Sequence, residues 1–482
     1  MVEKRPKTKI ICTLGPAVSS DETVRAMIES GMSVARLNLS HGTLDDHSAS
    51  VQRVRRASES LGIPVGIMVD VPGPKYRTGP LATGVLNLVR GDKLTLTSKD
   101  VVGTDDRVAV SPPGIHRDAT IGHPVLLDDG QIELNVEAIR GQNVQCQVVR
   151  GGRLTERRGV ATPGKSPSQP FPDEQATRAL AFAAEQRADF VAISTVTVEA
   201  DVHLARDILV QQGLDNAYII SKVERAEALE HFEGILDASD SIMVARGDMG
   251  VEVRLAQVPV IQKKLISACN LAGKPVITAT QMLESMISSS VPTRAEVTDV
   301  ANAIYDGTDA IMLSGETSVG QYPVEAVKVM AEVAIEAEAA LPYERMIVEK
   351  RGQLEPQADD AISYDACQTA QQLNASLIVA FTEFGSTAGR VSKYRPMTPI
   401  LALTTSEHVQ RRLTLRWGVT PVTVPHLHSV DDFFAVGEEK AMSVAGVKPG
   451  SLVVLVAGLP IGVPGGTNLL RVLTIPHPSG GE

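Results

Sequence analysis

Short apolar runs rich in β-branched residues alternate with segments of helical periodicity along most of the chain. This alternation is typical of parallel βα units, in which each buried strand is followed by a helix. The first two thirds of the chain hold about eight such runs, the number that closes a (β/α)8 TIM barrel. They are Lys9 to Leu14, Val34 to Leu39, Val65 to Val69, Phe190 to Ile193, Tyr218 to Ile220, Ile242 to Val244, Val276 to Thr278 and Ala310 to Leu313.

Between the third and fourth runs the pattern changes to alternating polarity rich in Gly, Val and Thr. From Lys75 to about Arg158 there is no good helical pattern. This predicts a small all-β domain, a β-barrel, inserted at one tip of the larger barrel. Because insertions at that end overhang the active face of such barrels, we expect a mobile lid.

A helix predicted over Pro323 to Leu341 is followed by the polar stretch PYERMIVEKRGQLEPQADD, which indicates a boundary. Five further apolar runs then predict a separate open α/β domain: Leu377 to Phe381, Pro399 to Thr404, Val419 to Val424, Ser451 to Ala457 and Leu469 to Ile475. The predicted division is 1–72 and 161–342 for the TIM barrel, 73–160 for the lid and 343–482 for the α/β domain.

Two neighbouring predicted strands near the middle of the chain end in charge, with a helix predicted from Arg225 to Asp237 between them. Because residues two apart on a strand share a face, Lys222 and Glu224 are expected to project together, with Asp248 following the next strand. Two carboxylates on neighbouring strands suit Mg²⁺ or Mn²⁺ better than zinc. Lys222 is a point charge suited to a transferring phosphoryl group. The alternative is a rim salt bridge between Lys222 and one of the acids.

Polar residues also follow the other predicted strands, at the end where TIM barrels hold their catalytic groups. Single cases have simpler explanations, since Ser194 and Ser314 are common turn residues and Thr280 would cap a helix QMLESMI. Together they favour a site at one mouth of the barrel. The set is Arg36, Asn38 and Ser40, then Asp70, Ser194, Lys222 and Glu224, Asp248, Thr278 and Thr280, and finally Ser314 and Glu316.

Composition narrows the class of protein. The chain has 482 residues with 43% hydrophobic and 21% charged residues, which is typical of a globular protein of two to three domains. The net charge of −11 argues against a general nucleic-acid or anionic-membrane binder. Four separated cysteines indicate neither a disulfide framework nor a zinc site. No run of 18 apolar residues occurs, and we expect a cytoplasmic enzyme.

Motifs of several enzyme classes are absent from the sequence. It has no G-x-S-x-G, H-E-x-x-H or G-x-G-x-x-G, which argues against serine hydrolases, zinc peptidases and Rossmann dehydrogenases. Arg36 and Lys222 beside two acids indicate an anion held on a divalent metal. That combination fits phosphoryl transfer or enolate stabilisation.

Several motifs resemble those of the pyruvate kinase family. They are KTKIICTLGPA, ARLNLSHG, SKVERAEAL, IMVARGDMGVE, TATQMLESM, PTRAEVTDVANAIYDGTDAIMLSGETSVGQYPVEAV and GVPGGTNLL, spread over residues 7 to 475. The resemblance implies a barrel, a β-rich lid, a C-terminal regulatory and assembly domain, and usually a homotetramer. It implies phosphoryl transfer from phosphoenolpyruvate to ADP, giving pyruvate and ATP, with Mg²⁺ or Mn²⁺.

The resemblance also implies roles for single residues. Lys222 resembles the lysine that stabilises the transferring phosphoryl group, and Glu224 and Asp248 the metal ligands. Arg36, Gly247, Asp248, Thr280 and Ser314 resemble phosphoenolpyruvate contacts, with Thr280 also on the route that protonates the enolate. Asn38, His41, Arg77 and Arg158 resemble nucleotide-phosphate contacts. Asn38, Ser40 and Asp70 fall where the family holds a monovalent cation.

The segment DVPGPKYRTG departs from the family at that cation. Potassium-activated members have Asp-Thr-Lys-Gly-Pro-Glu there, so that Val71 replaces a threonine and Lys75 a glutamate. An ammonium group supplies the single charge that the ion would bring. We therefore expect activity to need Mg²⁺ but not potassium. The alternative is that Lys75 is a solvated hinge lysine.

Other departures fall near the lid and in the C-terminal domain. Thr195 and Thr197 replace the family's usual Phe and Arg, and Ala161 and Thr162 replace Asn-Leu. AFTEFGSTAGR resembles the family's phosphate-binding loop, in which Thr382, Ser386 and Thr387 would hold an effector phosphate. Because Glu383 would repel a bisphosphate, we expect a monophosphate effector or none. The alternative is a plain connecting turn.

Two other functions remain open at this stage. A barrel lyase or mutase acting on a 2-oxo acid would share the metal carboxylates but would not need Arg77, Arg158 or the lid. A catalytically silent relative kept for assembly or sensing would not need Lys222, Glu224, Asp248 and Thr280 together.

Overall fold

The computed structural model describes residues 5–164, 171–427, 429–459 and 466–477. The chain begins with β1 (Lys9–Leu14), α1 (Asp21–Glu29), β2 (Met32–Asn38), α2 (Leu44–Leu61) and β3 (Gly66–Val71). Helix α2 begins at a capping box formed by Thr43 and Asp46 and ends at Gly62, whose φ of 64° glycine adopts without strain. These local signals explain why the apolar periodicity stops at those points.

The inserted segment consists of short strands and one four-residue helix. They are β4 (Tyr76–Thr78), β5 (Val85–Leu88), β6 (Lys93–Thr97), β7 (Arg107–Ser111), α3 (Ile115–Asp118), β8 (Pro124–Leu127), β9 (Ile132–Arg140), β10 (Asn143–Arg150), β11 (Gly152–Thr155) and β12 (Gly159–Ala161). Seven strands close a small barrel in the order β10-β6-β7-β4-β12-β8-β9, and β11 pairs with β5. Its alternate residues form a separate apolar core.

The chain then returns to the larger barrel. Its elements are α4 (Glu174–Glu185), β13 (Phe190–Ile193), α5 (Glu199–Gln211), β14 (Tyr218–Val223), α6 (Ala226–Glu230), α7 (Phe232–Ala238), β15 (Ser241–Ala245), α8 (Arg246–Glu252), α9 (Val258–Leu271), β16 (Val276–Ala279), α10 (Arg294–Tyr305), β17 (Ala310–Leu313), α11 (Gly315–Ser318) and α12 (Pro323–Ala339). Turns of 3₁₀ helix span Leu255–Gln257 and Glu284–Ile287. Eight parallel strands close in the order β1-β17-β16-β15-β14-β13-β3-β2.

The remaining elements form an open α/β domain. They are α13 (Tyr343–Lys350), a 3₁₀ turn Arg351–Gln353, α14 (Ala358–Gln372), β18 (Leu377–Phe381), α15 (Ser386–Lys393), β19 (Ile400–Thr404), α16 (Glu407–Leu413), β20 (Val419–Thr423), α17 (Val430–Ser443), β21 (Leu452–Gly458) and β22 (Thr467–Thr474). The sheet order is β20-β19-β18-β21-β22, with only β22 antiparallel to its neighbour. No helix in the described ranges is both long and apolar enough to cross a bilayer.

The predicted fold class is confirmed: a (β/α)8 barrel, an inserted small β-barrel and a C-terminal α/β domain. One helix prediction was wrong, and one short helix was not predicted. The helix expected from Arg225 to Asp237 is broken at His231, where φ of −104° and ψ of 19° leave the helical region. The polar stretch interpreted as a boundary contains α13. Ile347 is the one buried residue of this helix, so the sequence has no repeating apolar positions there from which a helix could be predicted.

Candidate active site

The polar side chains at the barrel mouth continue the inward-facing rows of the barrel interior. Val34 of β2 lies in the interior cluster, and Arg36 and Asn38 follow on the same face because strand side chains alternate. Ile220 of β14 is followed by Lys222 and Glu224 in the same way. The same spacing from interior residues brings Thr13, Asp70, Ser194 and Ser314 to the mouth.

Thr278 does not join this set, contrary to the sequence prediction. Its neighbours Ile277 and Ala279 face the interior, so Thr278 faces outward, where its Oγ1 donates to Thr308 Oγ1 at 3.1 Å. Asp248 is also placed differently from the prediction. It lies in the first turn of helix α8 and not on a strand tip.

Lys222 lies at the centre of the mouth with its ammonium group buried among oxygen atoms. Its Nζ is 2.8 Å from Glu224 Oε1 and 3.3 Å from Asp70 Oδ1, and it donates to Ser194 Oγ at 2.7 Å. Burial alone would lower the pKa of Lys222, but the carboxylates of Asp70 and Glu224 raise it well above its ordinary value. The lysine is therefore a fixed positive charge and is too deeply buried to be part of a solvated rim salt bridge.

Arg36 is the second fixed cation of the mouth. Its Nε donates to Asp70 Oδ2 at 2.8 Å, and its Nη1 donates to Thr13 Oγ1 at 2.8 Å. Burial would raise the pKa of Asp70, but Lys222 and Arg36 together hold it below the usual range. Asp70 thus stays ionised and orients both cations.

The two carboxylates predicted to hold a metal each face a lysine. Glu224 Oε2 accepts the backbone N–H of Thr195 at 3.0 Å, while its Oε1 faces Lys222. Asp248 Oδ1 accepts from Lys75 Nζ at 2.6 Å. Burial raises the pKa of Glu224. The pKa of Asp248, which burial would also raise, is lowered by the charges of Lys75 and Lys222.

The residues present fit a hard divalent cation. Glu224 Oε1 is buried and faces the Lys222 ammonium group at 2.8 Å, and Asp248 is a second carboxylate in the electrostatic field of Lys222. Among the described residues no group of three or more His, Cys, Asp or Glu side chains could hold a metal. Magnesium is commonly bound by one or two carboxylates, with water and substrate oxygens completing the shell. The donor set therefore suits Mg²⁺ or Mn²⁺ better than Zn²⁺.

Thr280 lies in a turn and does not cap a helix. Both Thr280 and Gln281 have positive φ, and the following residues form only the short 3₁₀ turn. Thr280 Oγ1 accepts the backbone N–H of Gly247 at 2.8 Å. This contact joins the ends of β15 and β16.

Ser314 and Glu316 have different surroundings. Ser314 Oγ is buried and finds no hydrogen-bond partner within the described ranges. Glu316 accepts the backbone N–H of Ser314 at 2.7 Å and that of Leu283 at 3.0 Å. Glu316 therefore fixes the end of β17 against the neighbouring loop.

The residues predicted to contact nucleotide lie along one side of the mouth and on the lid hinges. Asn38 Oδ1 accepts the backbone N–H of Ser40 at 3.2 Å. Arg77 lies in β4 opposite Gly159 of β12 and donates to the carbonyl of Arg157 at 3.2 Å. Burial first, and then the charges of Arg77 and Arg36, lower the pKa of His41. His41 therefore lies in the electrostatic field of both arginines.

Arg158 and Lys75 hold the two hinge segments. Arg158 Nε donates to Thr155 Oγ1 at 2.6 Å and is 3.4 Å from Asp128 Oδ1. Lys75 passes beside Gly159, where an added Cβ would lie 3.2 Å from Lys75 Cε. Its ammonium group is bonded to Asp248, and no contact in the described residues joins it to Asn38, Ser40 or Asp70.

The predicted effector loop surrounds a small cavity at the start of α15. Thr382 Oγ1 is buried and has no hydrogen-bond partner among the described residues, Thr387 Oγ1 is 2.8 Å from Thr467 Oγ1, and Ser386 lines the same cavity. Glu383 also lines it. Residues 462–465 of the GVPGGTNLL motif lie outside the described residues.

Comparison with known families decides the relationship of the chain. The family profile described as "Pyruvate kinase, barrel domain" matches residues 5–327, and that described as "Pyruvate kinase, alpha/beta domain" matches residues 360–473. The chain belongs to the pyruvate kinase family. A "Pyruvate kinase" of Clostridium acetobutylicum is 42% identical over 470 residues, which cover 97% of this chain and 99% of that protein. One of Geobacillus stearothermophilus is 43% identical over 471 residues, covering 97% and 80%.

Pyruvate kinases are phosphotransferases, so the predicted enzyme class is confirmed. One residue of the site, Thr13, and two contacts were nevertheless missed from the sequence. Thr13 follows Ile11 at the strand period and was therefore detectable in the pattern of β1. Thr195 supports Glu224 through its backbone N–H, which no side-chain pattern reveals. The link from Lys75 to Asp248 joins residues 173 positions apart and has no local signal.

Proposed function

We propose that the protein is a pyruvate kinase that transfers the phosphoryl group of phosphoenolpyruvate to ADP, giving pyruvate and ATP, the last step of glycolysis. The observation that carries the proposal is the cluster of Lys222, Arg36, Glu224 and Asp70 at one barrel mouth. Two fixed cations beside ionised carboxylates suit a phosphoryl group whose negative charge must be neutralised during transfer. Membership of the pyruvate kinase family supports the substrates.

In this proposal each cation has a separate task. Lys222 neutralises charge on the transferring phosphoryl group, because Asp70 and Glu224 keep its ammonium protonated. Arg36 is held by Asp70 and Thr13 so that its guanidinium meets phosphoenolpyruvate as a charge-assisted donor. Gly247, Asp248, Thr280 and Ser314 complete the substrate contacts. Thr280 lies on the route by which the enolate gains its proton.

Glu224 and Asp248 would hold a divalent cation. Bound Mg²⁺ or Mn²⁺ would supply Lewis-acid neutralisation of phosphoryl and enolate oxygens. Both acids now face lysines, so Lys222 and Lys75 must give up part of these contacts when the site fills. Asn38, His41, Arg77 and Arg158 are proposed to bind the phosphates of ADP and ATP, the last two moving with the lid.

A coupled assay with phosphoenolpyruvate, ADP and MgCl₂ tests the proposal. We expect pyruvate formation that depends on all three. Lys222→Met should abolish turnover and retain the native fold, with a lower melting temperature because the buried Glu224 carboxylate loses its counter-charge. Lys263→Met, which removes an exposed lysine of α9 away from the mouth, is the matched control and should retain full activity. An absence of ADP-dependent pyruvate formation by the wild type would refute the proposal.

We propose further that potassium is not required. Val71 and Lys75 replace the threonine and glutamate of potassium-activated members, and an ammonium group brings one positive charge with no ion to recruit. The proposal requires Lys75 to leave Asp248 for the cation position at Asn38, Ser40 and Asp70 when a divalent metal binds. Titrating KCl against tetramethylammonium chloride at constant ionic strength should give equal rates. Selective activation by potassium would refute this part of the proposal.

Regulation and assembly complete the proposal. We propose a homotetramer and a monophosphate effector at Thr382, Ser386 and Thr387, with the domain divisions at residues 72, 160 and 342. Thr382 Oγ1, which has no hydrogen-bond partner in the part of the chain that the structure describes, supports an anion beside the start of α15, and Glu383 in the same cavity disfavours a bisphosphate. Glucose 6-phosphate and AMP are suitable probes. Either should lower the phosphoenolpyruvate concentration needed for half-maximal rate, and Ser386→Asp should remove the effect.

A further inference from the structure

The turn after β16 holds two consecutive non-glycine residues in the left-handed region. Thr280 has φ of 70° and Gln281 has φ of 54°. A β-branched residue rarely adopts this conformation because its Cβ substituents crowd the backbone. In the part of the chain that the structure describes, Thr195 is the only other β-branched residue with positive φ, and it supports Glu224. Such backbone persists where the surroundings hold it in place.

Arg246 makes the contacts that hold this turn. Its Nη2 donates to the carbonyl of Thr280 at 2.7 Å and to that of Gln281 at 3.3 Å. Its Nε donates to the carbonyl of Ala279 at 3.4 Å. A single planar guanidinium thus binds three successive carbonyls across the strained residues. No other donor type in proteins offers this fork of fixed N–H groups.

The guanidinium is itself fixed from the other side. Arg246 Nη1 is 2.7 Å from Asp299 Oδ2 and donates to Asp299 Oδ1 at 2.8 Å. It is also 3.5 Å from Gln262 Oε1. The Arg246 side chain is only 11% exposed. The contacts to the turn are therefore those of an ordered, largely desolvated cation.

The same stretch of chain also fixes the Thr280 hydroxyl group. The residue after Arg246, Gly247, donates its backbone N–H to Thr280 Oγ1 at 2.8 Å. Thr280 Oγ1 in turn donates to the carbonyl of Ala279 at 2.6 Å. Arg246 therefore sets the backbone of Thr280 while its neighbour sets the side chain.

We propose that Arg246 is a positioning residue for the reaction, because it fixes the Thr280–Gln281 turn and so places Thr280 Oγ1 against the substrate. The inference rests on the role of Thr280 given under the proposed function. Arg246 does not touch substrate in this scheme and acts only through the turn. Without it, the turn relaxes toward ordinary backbone angles and the hydroxyl group moves.

The test compares Arg246→Gln, Arg246→Lys, Thr280→Val and the double variant Arg246→Gln/Thr280→Val. The readouts are kcat, the KM for phosphoenolpyruvate, and deuterium uptake from D₂O into the methyl group of pyruvate, where a C–H bond breaks and a C–D bond forms. Arg246→Gln should lower kcat and deuterium uptake by about 10²-fold, the size of effect expected for a displaced reacting group. The KM should change less than kcat. Arg246→Lys should be faster than Arg246→Gln because it keeps the positive charge. It should not reach the wild-type rate, because an ammonium group cannot bridge three carbonyls.

The double variant carries the decisive comparison. If Arg246 acts through Thr280, the double variant should be no slower than the slower single variant. Losses that multiply would overturn the proposal, as would an unimpaired Arg246→Gln beside an impaired Thr280→Val. A fully active Thr280→Val would remove the role of Thr280 and the inference with it. A wild type that forms no pyruvate would refute the proposed function itself.

Controls separate positioning from general stability. Arg206→Gln removes an arginine paired with Asp240 at the opposite end of the barrel, and should lower the melting temperature without changing kcat. Asp299→Asn leaves Arg246 in place but weakens its anchor, and should give a smaller loss of the same pattern if Arg246→Gln fails to fold. An Asp299→Asn enzyme with wild-type kcat and deuterium uptake would overturn the proposal.

Discussion

At the scale of single residues, both acids proposed to bind the divalent cation are neutralised by lysines of this chain. Lys222 faces Glu224 from within the barrel, whereas Lys75 reaches Asp248 from the lid hinge. The two pairs differ in solvent access. Lys222 is buried, but the side chains of Lys75 and Asp248 are 37% and 38% exposed. Solvent therefore screens the second pair, and a divalent ion competes with Lys75 more easily than with Lys222.

Removing the Lys75 charge should strengthen divalent-metal binding to the enzyme without substrates. A half-exposed ion pair is worth about 0.2–1 kcal/mol, so Lys75→Met should tighten Mn²⁺ binding by up to about fivefold. The electron paramagnetic resonance signal of free Mn²⁺ measures this directly. Lys93→Met is the control, since this exposed lid lysine pairs with Glu137 at 3.7 Å. Weaker binding by Lys75→Met would mean that the ammonium group supports the site and does not compete for it.

The strand period was enough to predict Lys222, Glu224, Arg36 and Asp70 at one mouth, because alternation carries an interior row directly to the strand end. It did not reveal what these groups contact. Asp248 was expected on a strand but lies on α8, and its partner Lys75 comes from the inserted segment. Contacts between distant segments depend on how the lid meets the barrel, which local periodicity does not encode.

At the scale of elements, three aspartates extend the hydrogen bonding between neighbouring barrel strands at the N-terminal ends of those strands. Each directly precedes a strand: Asp189 before β13, Asp240 before β15 and Asp309 before β17. Each carboxylate accepts a backbone N–H of the neighbouring strand, at Ile67, Ile219 and Val276 respectively, at 2.8–3.0 Å. The aspartate N–H groups donate back to the carbonyls of the same three residues. The side chains thus extend parallel pairing by one bond where the strands end.

Asp240→Ala should destabilise the barrel without affecting catalysis. The Ile219 N–H would lose its acceptor in a buried position, at a cost of about 1–3 kcal/mol in the free energy of unfolding. Urea denaturation measures this cost, and kcat should not change because the residue lies at the end opposite the mouth. Asp237→Ala is the matched control, an exposed aspartate of α7 for which we expect a change within about 0.5 kcal/mol. Equal stabilities of the two variants would contradict the argument.

Strand positions were predictable because buried apolar runs are short and are separated by helical segments, and β1, β13, β17 and β18 have the predicted bounds. The aspartates that precede β13, β15 and β17 were not recognised, because aspartate is also a common residue of ordinary turns. Helix ends were harder to place. The break at His231 has no proline or glycine to mark it, and Thr280 looked like a cap because threonine is a common N-cap residue.

At the scale of the whole molecule, the α/β domain completes the barrel end that carries these aspartates. Arg411 donates to Asp189, and Arg395 donates to Asp309 at 2.9 Å, and both arginines belong to the C-terminal sheet region. Leu415, which follows α16, lies in the interior cluster of the barrel. Residues of both domains therefore form the end of the barrel at which the strands begin. We expect them to unfold together.

Arg395→Met tests this coupling most directly. Arg395 and Asp309 are 4% and 7% exposed, and Arg395 also donates to Asn270 Oδ1 and to the carbonyl of Gly307. Losing the arginine leaves a buried carboxylate without its counter-charge, which costs about 3–5 kcal/mol. Calorimetry of the full-length chain should show a single transition in the wild type and, in Arg395→Met, a lower melting temperature with separation of the barrel and α/β transitions. Arg345→Met, which removes an exposed pair with Glu349, should leave the wild-type profile unchanged. If Arg395→Met keeps one transition at the wild-type temperature, the two domains are held together by apolar packing around Leu415 and not by the buried ion pair.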